Sequence, residues 1–146
     1  MNEPDPTALT ALARSIQNAR WLGAVADAHW KGASIDSRST QQGNIFFALK
    51  GEHVNGHDFV QQALTAGASC AVVERTPDPS ISALGPVLLV PDVVTAMAQA
   101  ATAYRRTSLA QTLVLAVTGS NGKTTTCNLL ASACSTPEAP AWLPTR

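Results

Sequence analysis

The sequence predicts an α/β fold in two parts. A small α/β unit is expected over residues 1–90. Over 91–134 the chain should open a parallel-sheet nucleotide domain with a strand, a phosphate-binding loop and a helix. Residues 135–146 read as an irregular tail. Three observations carry this. Short apolar runs of strand length alternate with segments whose apolar residues recur at helical spacing. A glycine-rich T-G-S-N-G-K-T-T-T sequence stands between an apolar run and a helical pattern. The chain is 45% hydrophobic and 14% charged, a globular rather than a disordered balance.

Residues 1–6 read as a loose arm. Thr7 is placed to cap a first helix, whose apolar stripe is Leu9, Leu12, Ala13 and Ile16. The pattern from Trp21 to Ala28 is ambiguous. A strand is expected from Trp30 to Asp36, then a turn at Gln41–Asn44. Ile45–Leu49 is aromatic and β-rich, so a strand. The loop from Lys50 to Asp58 leads to a helix capped by Asp58, with Val60, Ala63 and Leu64 on its buried side and Gly67 as its stop. Ala68–Val73 is a strand, and Thr76–Pro86, with three prolines, a loop. Val87–Val90 is a short strand. Asp92 caps a longer helix with Val93, Met97, Ala100, Ala101 and Tyr104 on one stripe. Arg105 and Arg106 sit at its C-terminal end, where positive charge is favoured.

Leu113–Val117 is an unbroken apolar run, suited to a strand buried on both faces. Gly119–Gly122 follows as a turn. A helix begins after it, with Cys127, Leu130, Ala131 and Cys134 at i, i+3, i+4 and i+7. In this arrangement glycines let backbone N–H groups approach phosphate oxygens, and the helix N-terminus adds positive potential. Lys123 reaches the outer phosphates and the Thr124 hydroxyl suits Mg2+. The general G-x-x-x-x-G-K-[ST] pattern needs glycine at position 117, which is Val117; the loop here is a shorter form. A run apolar on both faces needs neighbours on each side, and only one helix follows it. The second unit is therefore expected to be loosely held or self-associating.

Lys+Arg and Asp+Glu are both 10. This zero balance offers no electrostatic case for nucleic acid or an anionic membrane surface. No apolar run approaches the roughly 18 residues needed to span a bilayer. Met1–Pro6 is acidic and interrupted by proline, unlike a signal peptide. Cys70, Cys127 and Cys134 are odd in number and none forms a C-x-x-C pair, so they read as buried free thiols of a cytoplasmic chain. By themselves, Asp36-Ser37-Arg38 reads as a solvated turn at a strand end. His53 and His57 read as surface or capping histidines.

Two stretches taken together resemble the Mur ligase family, the ATP-dependent amide-forming enzymes of bacterial peptidoglycan synthesis. One is Thr118–Thr126. The other runs from Asp36-Ser37-Arg38 through Gly43-Asn44-Ile45-Phe46-Phe47-Ala48-Leu49-Lys50-Gly51 to Asn55-Gly56-His57-Asp58-Phe59. The resemblance spans about residues 30 to 134. It implies that residues 1–90 bind a UDP-N-acetylmuramoyl-peptide and that 91–134 begin the central P-loop ATPase domain. ATP would lie on Gly119, Ser120, Asn121, Gly122, Lys123, Thr124 and Thr125. Lys123 would act catalytically on the γ-phosphoryl group, and Thr124 would bind Mg2+. Ser37, Arg38, Gly51, Glu52 and His53 would hold the UDP part.

Within the family the likeness favours the ligase that joins D-alanyl-D-alanine to UDP-N-acetylmuramoyl-tripeptide, through an acyl phosphate attacked by the free amine. The ligase adding the third peptide residue is the competing reading. A non-catalytic module for a UDP-sugar or nucleotide is a third. Complete family members are expected to be monomers in the cytoplasm. The sequence departs from the family pattern at Asn55, where Asp is usual, and at Cys127, where a polar residue commonly follows the threonines. Family members are also several times longer. The later central strands and the C-terminal domain with the D-alanyl-D-alanine site have no counterpart here, so the chain alone is not expected to be an active ligase.

Overall fold

A computed structural model describes residues 5, 7–23, 25, 28–52 and 54–135. It divides into two compact units, residues 1–110 and 111–146. The first unit holds α1 (Leu9–Ser15), β1 (Arg20–Leu22), β2 (Gly32–Ser34), β3 (Asn44–Phe47), a 3-10 turn (Gly56–Phe59), α2 (Val60–Thr65), β4 (Cys70–Val73), α3 (Pro79–Ser82), β5 (Val87–Leu89) and α4 (Val93–Thr107). The second holds α5 (Lys123–Cys134).

The five strands of the first unit form one sheet in the order β1-β5-β4-β3-β2. β2, β3, β4 and β5 run parallel, and β1 closes one edge antiparallel to β5. Alternation along the strands explains the layers. Ile45, Phe47, Cys70, Val72, Leu88 and Val90 pack on one face with Leu9, Leu12 and Ile16 from α1 and its C-terminal edge, and with Val93 and Ala96 of α4. Phe46, Ala71, Val73 and Val87 pack on the other face with Val60, Ala63 and Leu64 of α2. A parallel sheet covered on both sides must be apolar on both sides. All four residues of β4 are accordingly buried. Each large side chain buried this way contributes about 1.5–3 kcal/mol.

Several expectations change on contact with the structure. The domain boundary expected near residue 91 lies between Ala110 and Gln111. The reason is that Val93, Ala96 and Met97 seat α4 in the first unit's core. Leu113–Val117 is no strand: it makes no ladder, and Leu113, Val114 and Leu115 are exposed. A strand of this kind exists only through neighbours that accept its backbone bonds and cover its side chains. Asp92 caps α4 as expected, accepting from Thr95 N at 2.6 Å. Thr7 does not cap α1; its hydroxyl and N–H donate to the Asp5 carboxylate instead.

Asp58 is likewise no cap: Asn55 holds that place, accepting from His57 N. The Thr76–Pro86 loop contains α3, capped by Asp78 and started by Pro79. Of the thiols only Cys70 is buried, and burial pushes it up to about 12. Cys127 is half-buried and Cys134 exposed. The tail from 136 lies outside the described residues.

One glycine is required by space. A Cβ on Gly56 would lie 2.6 Å from Leu49 O, 2.7 Å from Leu49 N and 2.8 Å from the Ala48 carbonyl carbon. These are backbone atoms of a strand end, which cannot swing aside. Gly56→Ala should therefore lower the stability of the first unit by about 1–3 kcal/mol, read by urea unfolding.

Candidate functional site

Parallel strands end together, so the loops following β2, β3, β4 and β5 meet at one edge of the sheet. In open α/β sheets ligands bind at this carboxyl edge. The loop after β2 is built around one carbonyl. Asp36 O accepts from Ser34 Oγ at 2.8 Å, Ser39 N and Ser39 Oγ at 3.1 Å, and Thr40 Oγ1 at 3.0 Å. The backbone of Asp36-Ser37-Arg38 is thereby pinned.

Ser37 is 7% exposed, and its hydroxyl donates to Gln62 Oε1 of α2 at 2.9 Å. Arg38 points the other way, with 83% of its side chain exposed. Its guanidinium forks onto the Asp36 carboxylate, Nη2 to Oδ2 at 2.7 Å and Nε to Oδ1 at 3.0 Å. Those bonds hold the Asp36 carboxyl down at about 2. The guanidinium keeps donors to spare for a phosphate.

The loop after β3 is a tight ring. Lys50 and Asn55 form a bridge, and Gly51 N donates to Val54 O at 2.8 Å. Gly51 and Glu52 are exposed on it; His53 lies outside the described residues. Exposed Ile35 and Val54 stand on the two loops, and part-exposed Phe59 lines an open groove with Asp58, Gln61, Gln62, Thr65 and Ala66. Charged donors beside apolar side chains can receive a ligand that is part phosphate and part flat ring.

Sequence reasoning missed the polar bridge beneath these loops. His57 Nδ1 lies 3.0 Å from Asn55 Oδ1, and His57 Nε2 accepts from Glu74 N at 2.9 Å. The Glu74 carboxylate in turn accepts from Val93 N at 3.0 Å, at the start of α4. Burial first, then the Arg75 charge, holds His57 below its ordinary value. The signal was the N-G-H spacing, an Asx side chain two residues before a histidine. Gln62 was hidden because one helical glutamine looks like any other.

In the second unit the stretch expected to be a phosphate loop is a glycine bend that leads into α5. Gly119 and Gly122 take φ of 153° and 76°, the left-handed side that glycine tolerates. Gly122 occupies the N-cap of α5 without a side-chain cap. A helix start of this kind turns its dipole and first-turn N–H groups toward an anion. Lys123 Nζ lies over the loop and donates to the carbonyl oxygens of Gly119 and Ser120. Ser120, Asn121, Thr124 and Thr125 are exposed around it. Among the described residues no three His, Cys, Asp or Glu side chains cluster to hold a metal. No helix among them is long and apolar enough to cross a membrane.

Residues 29–105 match the family described as "Mur ligase family, catalytic domain". The chain is 42% identical over 96 residues to a UDP-N-acetylmuramoyl-L-alanyl-D-glutamate--2,6-diaminopimelate ligase of Halalkalibacterium halodurans, covering 66% of this chain and 19% of that protein. It is also 42% identical over 100 residues to a UDP-N-acetylmuramoyl-tripeptide--D-alanyl-D-alanine ligase of Bacillus subtilis, covering 68% and 21%. A crystal structure of MurF from Acinetobacter baumannii superposes with a TM-score of 0.70 at 38% identity, over 84% of this chain and 26% of that one. The chain thus spans about a fifth of the length of the curated relatives it matches.

The Asp36–Arg38 fork gives a titration to check. The Asp36 carboxyl should titrate near 2 by carbon-detected NMR, and Arg38→Ala should return it toward 3.8. Because the folded value lies below the unfolded one, the stability it contributes is present above pH 3.8. It is lost as pH falls through about 2.

Proposed function

The chain belongs to the Mur ligase family, and on that premise we propose that it is the N-terminal part of an ATP-dependent amide-forming ligase of peptidoglycan synthesis. The member we favour adds D-alanyl-D-alanine to UDP-N-acetylmuramoyl-tripeptide. The observation that carries the ligand reading is the carboxyl edge of the first unit's sheet. There the carbonyl-pinned Ser37–Arg38 turn and the exposed Gly51–Glu52 ring follow neighbouring strands, and Ser37 reaches Gln62, which lines a groove along α2. In this reading Arg38 forks onto a phosphate oxygen of the UDP group, and Ser37 is held at the groove by Gln62. Glu52 and the backbone of Gly51, with His53, complete the contact.

The second unit supplies the ATP side of the reading. Backbone N–H groups of Gly119–Thr125 surround the phosphates, and Lys123 leaves its two carbonyl partners to neutralise the transferring group. Thr124, the second residue of α5, offers a hard hydroxyl oxygen suited to Mg2+. ATP supplies the phosphoryl group that activates the substrate carboxylate for attack by an amine. This work is positioning and charge neutralisation rather than covalent chemistry by the protein. We place the activity in the cytoplasm, in a monomer.

A second reading has its own support. The 42% identity to the diaminopimelate-adding ligase equals that to the D-alanyl-D-alanine ligase, so the chain can instead belong to a ligase acting on the dipeptide. The likeness to the Acinetobacter baumannii enzyme, at a TM-score of 0.70 over 84% of the chain, inclines us to the tripeptide.

Calorimetric titration of the purified chain tests this. UDP-N-acetylmuramoyl-tripeptide should bind, more tightly than the dipeptide, and Arg38→Ala should weaken it about ten- to a hundredfold, the scale of a lost charge-assisted contact. Lys123→Ala should remove Mg-ATP binding and leave the UDP compound unaffected. Turnover of ATP and D-alanyl-D-alanine into product is not expected from these 146 residues. Binding of neither compound by the unaltered chain would overturn the proposal, and tighter binding of the dipeptide would favour the second reading.

A further inference from the structure

We infer that His57 is a positioning residue whose ring, seated between the Asn55 amide and the Glu74 backbone, latches the Lys50–Asn55 ring to the carboxyl end of β4 and the start of α4. Three bonds carry this. Glu74 N–H can only donate, so His57 Nε2 must be the unprotonated nitrogen. The proton of the neutral ring is then on Nδ1, 3.0 Å from Asn55 Oδ1. That atom is the amide oxygen, because it also accepts from His57 N at 3.2 Å. Glu74 carries the link onward through its carboxylate to Val93 N. One imidazole thus ties together the loops that follow β3, β4 and β5.

The inference rests on the proposed function only for what the Lys50–Asn55 ring binds; the latch itself is a property of the free protein. Its tautomer makes it sensitive to acid. A proton added at Nε2 would face the Glu74 N–H, two donors with no acceptor between them. The groups around the ring are mixed. Arg75 opposes the imidazolium, and the Glu74 and Asp58 carboxylates favour it. Asp78 lines, with His57, Asp58 and Arg75, a second groove of about 340 Å3. Burial outweighs the carboxylates, so the latch is closed near neutral pH and opens below it. The sign follows: a depressed histidine contributes stability that is present above pH 6.5 and lost as pH falls through its folded value.

Nitrogen-15 NMR of the full chain tests the latch without ligand. At pH 7.5 the His57 ring should be protonated at Nδ1 and not at Nε2, the less common form of a free imidazole. On acidification the amide signals of Gly51, Glu74 and Val93 should move with the His57 ring, with one midpoint below 6.5. His57→Gln, which keeps an acceptor near Nε2 and cannot titrate, should abolish that shared transition while the chain stays folded. Asn55→Asp places a carboxylate on Nδ1–H, favours the imidazolium and should raise the midpoint. A ring protonated at Nε2 at pH 7.5, or a His57 titration that leaves the three amides unmoved, would overturn the inference.

Where the unaltered chain binds the UDP compound, His57→Ala should weaken it about tenfold, the scale on which orienting partners act in metal sites, and Gln should recover part of that loss. Unchanged affinity in His57→Ala would also count against a positioning role. If the unaltered chain binds no UDP compound, the proposed function fails, and the tautomer and amide shifts still decide the latch.

Discussion

The first unit depends on one constraint: the strands β3, β4 and β5 are apolar on both faces, so they must be covered on both. Ile45 and Phe47 face one way and Phe46 the other, and Cys70 and Val72 oppose Ala71 and Val73. No single helix can satisfy such strands. The chain answers with α1 and α4 on one face and α2 on the other. Covering both faces favours parallel strands, since each return path lies over a face rather than around a hairpin. Parallel strands then deliver their following loops to a common edge. The candidate ligand site is therefore a consequence of how the core is buried.

At that edge the loops are shaped by polar bonds rather than by packing. The Asp36 carbonyl gathers three hydroxyls and an N–H, while the exposed Arg38 guanidinium bonds the Asp36 carboxylate beside it. The Asn55–His57–Glu74 bridge does for the loops after β3 and β4 what the carbonyl does for the loop after β2. Gly56 stands between the two regimes. It lets the backbone press against Leu49 closely enough for Gly56 N to reach Leu49 O at 2.7 Å, and this aims His57 at β4.

The parts of the fold legible in the sequence were those set by short-range periodicity. The Leu9–Ile16 stripe, the Val60–Leu64 stripe, Gly67 as the stop of α2 and Asp92 as the cap of α4 all stand where the pattern puts them. Gly67 takes a φ of 95°, which explains why that position carries the signal. β1 was not legible: three residues paired antiparallel at an edge have no period long enough to read. The short α3 was hidden by its prolines, although Pro79 sits in the first turn, where a missing N–H costs nothing. The boundary near 91 failed because α4 reads as an introduction to the apolar run after it. Only its contacts with the first unit's core say otherwise.

The same distinction explains why the glycine turn before α5 and the apolar run that precedes it came out differently. The loop's shape is local. Two glycines with positive φ, a helix start at Gly122 and a lysine one residue on are enough to form it. Its backbone shape is therefore readable from nine consecutive residues, Thr118–Thr126. Leu113–Val117 has no such independence. Its β-character is a demand on other segments for backbone partners and for cover over its side chains. With Leu113 80% exposed and no ladder formed, that demand is unmet among the described residues. A glycine turn opening a helix can thus be set by local geometry, while an apolar run becomes a strand only through non-local contacts.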